Sequence, residues 1–232
     1  MGQHTVTSFD QELEHLDRLI REMGDLAGAM TQAATRALLY GDNALAQRVI
    51  SDDAVMDAKQ RELDESAITL IAKRQPMAQD LRAVVGAIRM AADLERIGDL
   101  AKNISKRVGA VGGSAPRGLT QPIDTMASMV LEQVRAVVDF YVSRQDEALV
   151  KLRDDDEKID LQYTSVFREL LTYMMEDPRN ITACTHLLFC AKNLERIGDH
   201  VTNIAENAYY IITGMQLPVQ RPKQDETQVA AN

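Results

Sequence analysis

The six residues LERIGD occur twice in this chain, at positions 94–99 and again at 194–199. Each copy places a Glu and an Asp one helical turn apart and adds a glycine, and this combination destabilises a helix interior. The residues around both copies nevertheless have the apolar spacing of a long helix. A repeat of about one hundred residues with the same unfavourable motif at the same place predicts two similar units in tandem.

Prolines and glycines divide the chain into six long segments whose apolar residues recur at helical spacing. This pattern predicts helices over about 8–40, 43–74, 76–108, 122–144, 146–176 and 178–213. Residues 109–118 contain four glycines and indicate a linker. We therefore expect an all-α fold made of two tandem, pseudo-symmetric three-helix bundles, at 1–108 and 119–213. Residues 214–232 are polar and are expected to form a disordered tail.

Composition and charge exclude several classes of function. The formal net charge of −9 argues against nucleic-acid binding, which depends on a basic surface. No apolar run approaches the roughly 20 residues that cross a bilayer, so we expect no membrane insertion, and the N-terminus lacks the regions of a signal peptide. Cys184 and Cys190 form no CxxC pair and are expected to be buried in a protein of the reducing cytosol.

Each unit carries two acid pairs on neighbouring helices. Asp57 and Glu95 lie 18 and 19 residues from the turn at 75–76, and Asp160 and Glu195 both lie 17 residues from the turn at 177–178. Because helices rise about 1.5 Å per residue, antiparallel pairing brings four carboxylates of each unit to the same height. The two sets are Asp53, Asp57, Glu95 and Asp99 in the first unit, and Asp156, Asp160, Glu195 and Asp199 in the second.

Four converging carboxylates repel one another, and a bound cation would relieve that repulsion. The sequence therefore predicts metal binding in each unit. Because no histidine or cysteine lies on the acidic face, the donor set favours Mg²⁺, Mn²⁺, Ca²⁺ or iron over structural zinc. Gly98 and Gly198 indicate that neighbouring helices approach closely there. Asn103 and Asn203, one turn further along, are either additional oxygen ligands or interhelical hydrogen-bond donors.

Two other interpretations of the acids remain open. Arg96 and Arg196 lie close to Asp99 and Asp199 on the helix surface, so ordinary ion pairs could neutralise the acids in a structural adaptor without metal. The alternative function is a carboxylate-bridged metal-dependent hydrolase or oxidase. Such chemistry usually places a histidine or another base beside the metal, and no nucleophile–base pair is evident in the sequence. We therefore expect that the protein is not an enzyme.

The two segments DLERIGDLAKNI and NLERIGDHVTNI, each preceded by an acid pair one helix earlier, resemble the PhoU family. The resemblance extends over about residues 8–213 and implies two symmetric three-helix bundles. It implies that the eight carboxylates named above bind divalent or trivalent metal ions, in multinuclear clusters of iron, manganese, magnesium or zinc. It also implies a cytoplasmic negative regulator of phosphate uptake and phosphate-starvation signalling rather than an enzyme.

The partners implied by the resemblance are the ATPase of the phosphate ABC transporter and the sensor histidine kinase of the phosphate regulon. These partners would bring the protein to the inner face of the membrane without any anchor of its own. A homodimer is also expected, although no apolar stripe in the sequence singles out an interface.

Overall fold

The computed structural model describes residues 2–111 and 117–217, and every regular element in those ranges is helical. The prediction of an all-α fold is confirmed. A 3₁₀ turn at Pro178–Asn180 leads into the last helix. The helices are α1 (Gly2–Tyr40), α2 (Asn43–Arg74), α3 (Ala78–Ser105), α4 (Val108–Val111), α5 (Arg117–Val142), α6 (Asp146–Asp154), α7 (Glu157–Glu176) and α8 (Ile181–Thr213).

Local capping fixes the ends of the long helices. The Asp42 carboxylate accepts a hydrogen bond of 2.9 Å from the backbone N–H of Leu45 and so caps the start of α2. Helix α2 ends at Arg74, and the next residue, Gln75, caps it with a left-handed backbone (φ 48°) immediately before Pro76. Gly214 has φ 74° and ends α8 in the same conformation, which glycine adopts without strain.

Several predicted boundaries were wrong. Helix α1 begins six residues earlier than expected, and α5 begins at Arg117 rather than at Pro122. Pro122 lies inside α5, where its fixed φ suits a helix and its missing N–H removes one helical hydrogen bond. Within the expected linker 109–118, residues 109–111 belong to α4 and residues 117–118 begin α5. Residues 112–116 of the linker and 218–232 of the expected tail lie outside the described residues.

The prediction of one continuous helix over 146–176 was also wrong. Helix α6 ends at Asp154 and α7 begins at Glu157, so the break falls within three consecutive aspartates. Aspartate has low helix propensity, and adjacent like charges add repulsion. The backbone N–H of Asp156 bonds to the carbonyl of Arg153, and this i to i−3 bond tightens the turn there. The break leaves Asp156 buried against α8, with 6% of its surface exposed.

The two bundles share one apolar core. Helix α3 packs against α8 and α1 packs against α5, in addition to the contacts within each bundle. Glycines permit both contacts, since a Cβ at Gly24 would collide with Val138 of α5 and a Cβ at Gly86 would collide with Ile211 of α8. Cys184 and Cys190 are buried within this core, as expected. Burial raises the pKa of the Cys190 thiol to about 12, so it remains protonated at neutral pH.

Helices α3 and α8 run antiparallel and are related by an approximate two-fold axis. Gly86 near the start of α3 faces Ile211 near the end of α8, and Arg107 beyond the end of α3 contacts His186 near the start of α8. Each α3 residue therefore corresponds to the α8 residue numbered one hundred higher. No helix in the described ranges is both long and apolar enough to cross a membrane.

Candidate functional site

The antiparallel pairing of α2 with α3 brings the acids of the first unit together. We call Asp53, Asp57, Glu95 and Asp99 the first acidic cluster. Lys102 joins its two helices: its Nζ donates to Asp53 Oδ2 on α2 at 2.6 Å and to Asp99 Oδ1 on α3 at 2.7 Å. Burial by itself lowers the pKa of Lys102, but these two hydrogen bonds outweigh it and raise that pKa above its usual value. The lysine is therefore a fixed positive charge within the cluster.

Glu95 is the most perturbed acid of the first cluster. Partial burial raises the pKa of Glu95, and the negative charges of Asp99, Asp57 and Asp53 raise it further. Arg96 opposes the shift, with Nε 3.5 Å from Glu95 Oε2 and Nη1 3.3 Å from Asp99 Oδ2. The charges of three other acids therefore act on Glu95, which puts the four carboxylates in the same region of the α2–α3 pair.

The second acidic cluster consists of Asp156, Asp160, Glu195 and Asp199. Glu195 is buried, with 7% of its surface exposed, and Lys192 Nζ donates to its Oε1 at 2.8 Å. The other oxygen, Oε2, is inaccessible and has no hydrogen-bond partner among the described residues. Burial raises the pKa of Glu195, Lys192 opposes the shift, and the charges of Asp199 and Asp160 add to it. Asp160 and Asp199 therefore lie near enough to Glu195 for their charges to act on it.

Asp156 of the second cluster packs against Gly198, the glycine of the second LERIGD copy. A Cβ on Gly198 would lie 2.9 Å from Asp156 Oδ1 and 3.2 Å from Ile159 Cδ1, closer than normal side chains approach. In the first unit a Cβ on Gly98 would lie 3.3 Å from Met56, whose flexible side chain can move. The close approach predicted at both glycines is confirmed, and it involves a carboxylate only in the second unit.

The assignment of these acids as metal ligands stays a prediction. In residues 2–111 and 117–217, no three carboxylate, imidazole or thiol side chains are arranged as a ready-made metal site. The donor chemistry fits a hard cation best in the second cluster, where Glu195 Oε2 is a buried acceptor without a donor. In the first cluster Lys102 already pairs with two of the four carboxylates and neutralises one negative charge.

The lysines of both clusters were missed in the sequence analysis. Lys102 follows Asp99 by three residues and Lys192 precedes Glu195 by three, a spacing that brings side chains together on one helix face. That spacing alone would have identified both as counterions. It would not have shown that Lys102 also reaches Asp53 on a different helix.

The two asparagines named as additional ligands have other surroundings. Asn203 Nδ2 donates across the bundle contact to Asp93 Oδ1 at 3.3 Å, which favours the interhelical hydrogen bond over a metal bond. His200 Nδ1 lies 2.9 Å from the same Asp93 oxygen. Asn103 lines a solvent-open groove between α3 and α8.

Comparison with known proteins gives a consistent result. The family model described as the PhoU domain matches residues 20–108 and again residues 123–208. A protein of Rhizobium meliloti (strain 1021), named a phosphate-specific transport system accessory protein PhoU homolog, is 58% identical over 97% of this chain and 95% of its own length. A protein of the same name from Caulobacter vibrioides (strain NA1000 / CB15N) is 46% identical over 97% of this chain and 98% of its own.

Solved structures show the same architecture. The crystal structure of PhoU from Pseudomonas aeruginosa superposes with a TM-score of 0.85 and 34% identity, covering 89% of this chain and all of that one. The phosphate transport system regulatory protein PhoU from Streptococcus pneumoniae gives a TM-score of 0.82 at 27% identity, covering 91% of this chain and all of that one. With two tandem matches to the family model and relatives that match along nearly their whole length, this chain belongs to the PhoU family.

Proposed function

We propose that this protein is a regulator of phosphate uptake that acts through protein contacts. The observation that carries the proposal is the 58% identity, over 97% of the chain, to a relative named as an accessory protein of the phosphate-specific transport system. The Streptococcus pneumoniae structure, whose title names a regulatory protein of phosphate transport, supports the same role. The two-bundle architecture offers long helical surfaces on which partner proteins could dock.

The partners in this proposal are the ATPase of the phosphate ABC transporter and the sensor histidine kinase of the phosphate regulon. The protein would work in the cytoplasm, and these partners would hold it at the inner face of the membrane. It would keep phosphate-starvation genes silent while phosphate is plentiful. The support for the ATPase and the kinase is the family resemblance, and the homodimer expected from the sequence also stays a prediction.

Metal binding is the second part of the proposal. Asp156, Asp160, Glu195 and Asp199 would hold an ion in the second unit, and Asp53, Asp57, Glu95 and Asp99 in the first. A bound iron, manganese, magnesium or zinc ion would neutralise the carboxylates and connect two helices of a bundle. Support comes from the raised pKa of Glu195 and from its Oε2, because Lys192 donates only to Oε1 and leaves Oε2 a buried acceptor without a donor among the described residues.

The regulatory role can be tested by removing the protein from cells and restoring it. Expression of a phosphate-starvation reporter should rise in phosphate-rich medium when the protein is absent, and it should fall when the wild-type gene is returned. Pull-downs from the same cells should recover the transporter ATPase and the sensor kinase. A reporter that stays silent without the protein would contradict the proposal.

Catalysis can be tested separately on protein loaded with metal. We expect no turnover in phosphoesterase and oxygen-consumption assays, because the described residues of both acidic clusters are carboxylates and their basic partners rather than a nucleophile–base pair. Turnover that Glu195→Gln abolishes, and that a substitution of the exposed Lys151 leaves unchanged, would overturn this view in favour of a carboxylate-bridged hydrolase or oxidase.

A further inference from the structure

The approximate two-fold axis between α3 and α8 creates two matching grooves. One is lined by residues that include Asn103, Lys106, Arg107, Lys192, Asn193 and Arg196, and we call it the basic groove. The other is lined by residues that include Arg89, Ala92, Asp93, Asn203, Glu206 and Asn207, and we call it the twin groove. Their cavity volumes are similar, about 560 and about 620 Å³. Both lie within the usual size range of small-molecule sites.

The equivalent positions of the two grooves differ systematically in charge. Lys106 and Arg107 of the basic groove correspond to Glu206 and Asn207 of the twin groove. Lys192 and Asn193 correspond to Ala92 and Asp93. One groove therefore carries four cationic side chains and no acid among its lining residues, whereas the other carries one cation and two acids. The formal net charge of the chain is −9, so a cavity lined by four cations has a local charge opposite in sign to that of the whole protein.

The cations of the basic groove are largely available to a ligand. Lys192 is paired with Glu195, but Lys106 and Arg196 are exposed and form no hydrogen bond or ion pair with any other described residue. The equivalent arginine of the first unit behaves differently, since Arg96 contacts both Glu95 and Asp99. Arg196 thus leaves its neighbouring acids and lines the groove instead.

Arg107 is held in place before any ligand arrives. Its guanidinium carbon lies 4.2 Å from the ring centroid of Phe189, and its Nη1 lies 3.2 Å from His186 Nδ1. Its Nε is buried and has no hydrogen-bond partner among the described residues. A guanidinium fixed by stacking loses little entropy on binding and can donate two parallel hydrogen bonds to one phosphate.

We propose that the basic groove binds a small polyanion that carries two or more phosphate groups. Three available cations require several negative charges for neutralisation, and the cavity is larger than a single phosphate needs. The amides of Asn103 and Asn193 add donors at the same opening. The site is separate from the acidic clusters and does not depend on metal binding there.

Calorimetric titration of the full-length protein with tripolyphosphate tests this assignment. We expect saturable binding that weakens as salt rises, and weaker binding of orthophosphate and of citrate. The variant Lys106→Glu/Arg196→Gln should weaken binding by about tenfold or more, because it removes three units of positive charge from exposed positions. Its thermal unfolding should match that of the wild type, since neither side chain is buried.

The matched control is Arg48→Gln/Arg61→Glu, which makes the same charge change at two exposed positions of α2 that line neither groove. We expect the control to change affinity by less than about twofold. Heat from the removal of bound metal by tripolyphosphate would appear equally in both variants. Equal weakening in the control, or no binding by the wild type, would overturn the proposal.

Two further ligands determine the class of anion. Citrate that binds as tightly as tripolyphosphate would show that the groove takes polyanions without requiring phosphate, which contradicts the assigned class. Hexaglutamate that binds more tightly than tripolyphosphate, and loses affinity in Lys106→Glu/Arg196→Gln, would show a docking surface for an acidic peptide and would also overturn the proposal.

Discussion

The first and second acidic clusters come from the same repeated motif but balance their charge differently. In the first, Lys102 lies between Asp53 and Asp99 and supplies a cation from the protein itself. In the second, the equivalent position is Thr202, which is fully buried and donates its hydroxyl hydrogen bond to the carbonyl of Gly198. The second cluster therefore has a buried hydroxyl where the first has its bridging lysine, and its described cation is Lys192, which comes from a different position and pairs with Glu195.

This difference shows that two copies of one motif can neutralise their carboxylates in different ways. The first cluster can be stable without metal because an ammonium group bridges its helices. The second buries its glutamate more deeply and leaves Oε2 without a donor among the described residues. Lys192 pairs with the other oxygen, but a buried acceptor left without a donor is still unfavourable. The second cluster is therefore the better candidate for metal.

The largest effect should come from adding metal. At a free concentration one hundred times its dissociation constant, one bound ion stabilises the wild type by about 2.7 kcal/mol, which raises the Tm by roughly 5–10 °C. Asp156→Asn/Asp199→Asn should remove most of that increase, as measured by calorimetry together with elemental analysis. The matched variant Asp53→Asn/Asp99→Asn should keep most of it. Loss of the increase in the first-cluster variant alone would reverse our ranking of the two clusters.

Removing the bridging lysine should have the next largest effect. Lys102→Met should lower the free energy of unfolding in chelator by about 2 kcal/mol, because charged hydrogen bonds to two aspartates are lost in a partly buried place. Added Mg²⁺ or Mn²⁺ should restore more stability to this variant than to the wild type, since the lysine no longer competes for the carboxylates. The control Lys151→Met changes an exposed lysine and should unfold like the wild type.

The two repeat glycines should differ in their tolerance of alanine. Gly198→Ala should cost about 1–2 kcal/mol, because the new methyl group would displace Asp156 and Ile159. Gly98→Ala should be within about 1 kcal/mol of the wild type, since the helix propensity of alanine offsets the shift of the flexible Met56. Urea unfolding of both variants measures the difference. Equal costs would mean that Asp156 is not held against Gly198.

The smallest effect concerns pH. The folded pKa of Glu195 is raised above its ordinary value of 4.5, so the folded state binds its proton more tightly than the unfolded state does. Below pH 4.5 Glu195 is protonated in both states and does not lower the free energy of unfolding. As pH rises from 4.5 through the folded pKa, its ionisation lowers the free energy of unfolding, and the full loss is reached above the folded pKa. In chelator, Glu195→Gln should be more stable than the wild type by about 1 kcal/mol at pH 7–8, and this advantage should vanish near pH 4.5.

The equivalent change in the first cluster provides the comparison for this pH experiment. The pKa of Glu95 is also raised, but 17% of its side chain is exposed and Arg96 lies beside it. Glu95→Gln should therefore also raise the free energy of unfolding as pH rises, but by less than Glu195→Gln, as measured by urea titrations between pH 4.5 and 8. A larger stabilisation by Glu95→Gln than by Glu195→Gln would contradict the view that the second cluster is the more strained.

The sequence by itself determined the helices, the tandem repeat and the height at which the acids meet. Helical periodicity and a fixed rise per residue are local properties, so counting from two turns was enough to bring Glu95 to the level of Asp53 and Asp57, whose charges act on it. The helix break at Asp154–Asp156 was missed, because a weakly helical run can still form a helix and tertiary packing decides whether it does.

Only the tertiary structure decided how those charges are balanced and where the two units meet. The same-helix spacing of Lys102 predicts its contact with Asp99, but its bond to Asp53 depends on how α2 packs against α3. The opposite charges of the basic groove and the twin groove appear only once α3 and α8 are paired across the two-fold axis. Contacts between residues distant in the chain depend on the packing of whole helices, which the local pattern of apolar residues does not specify.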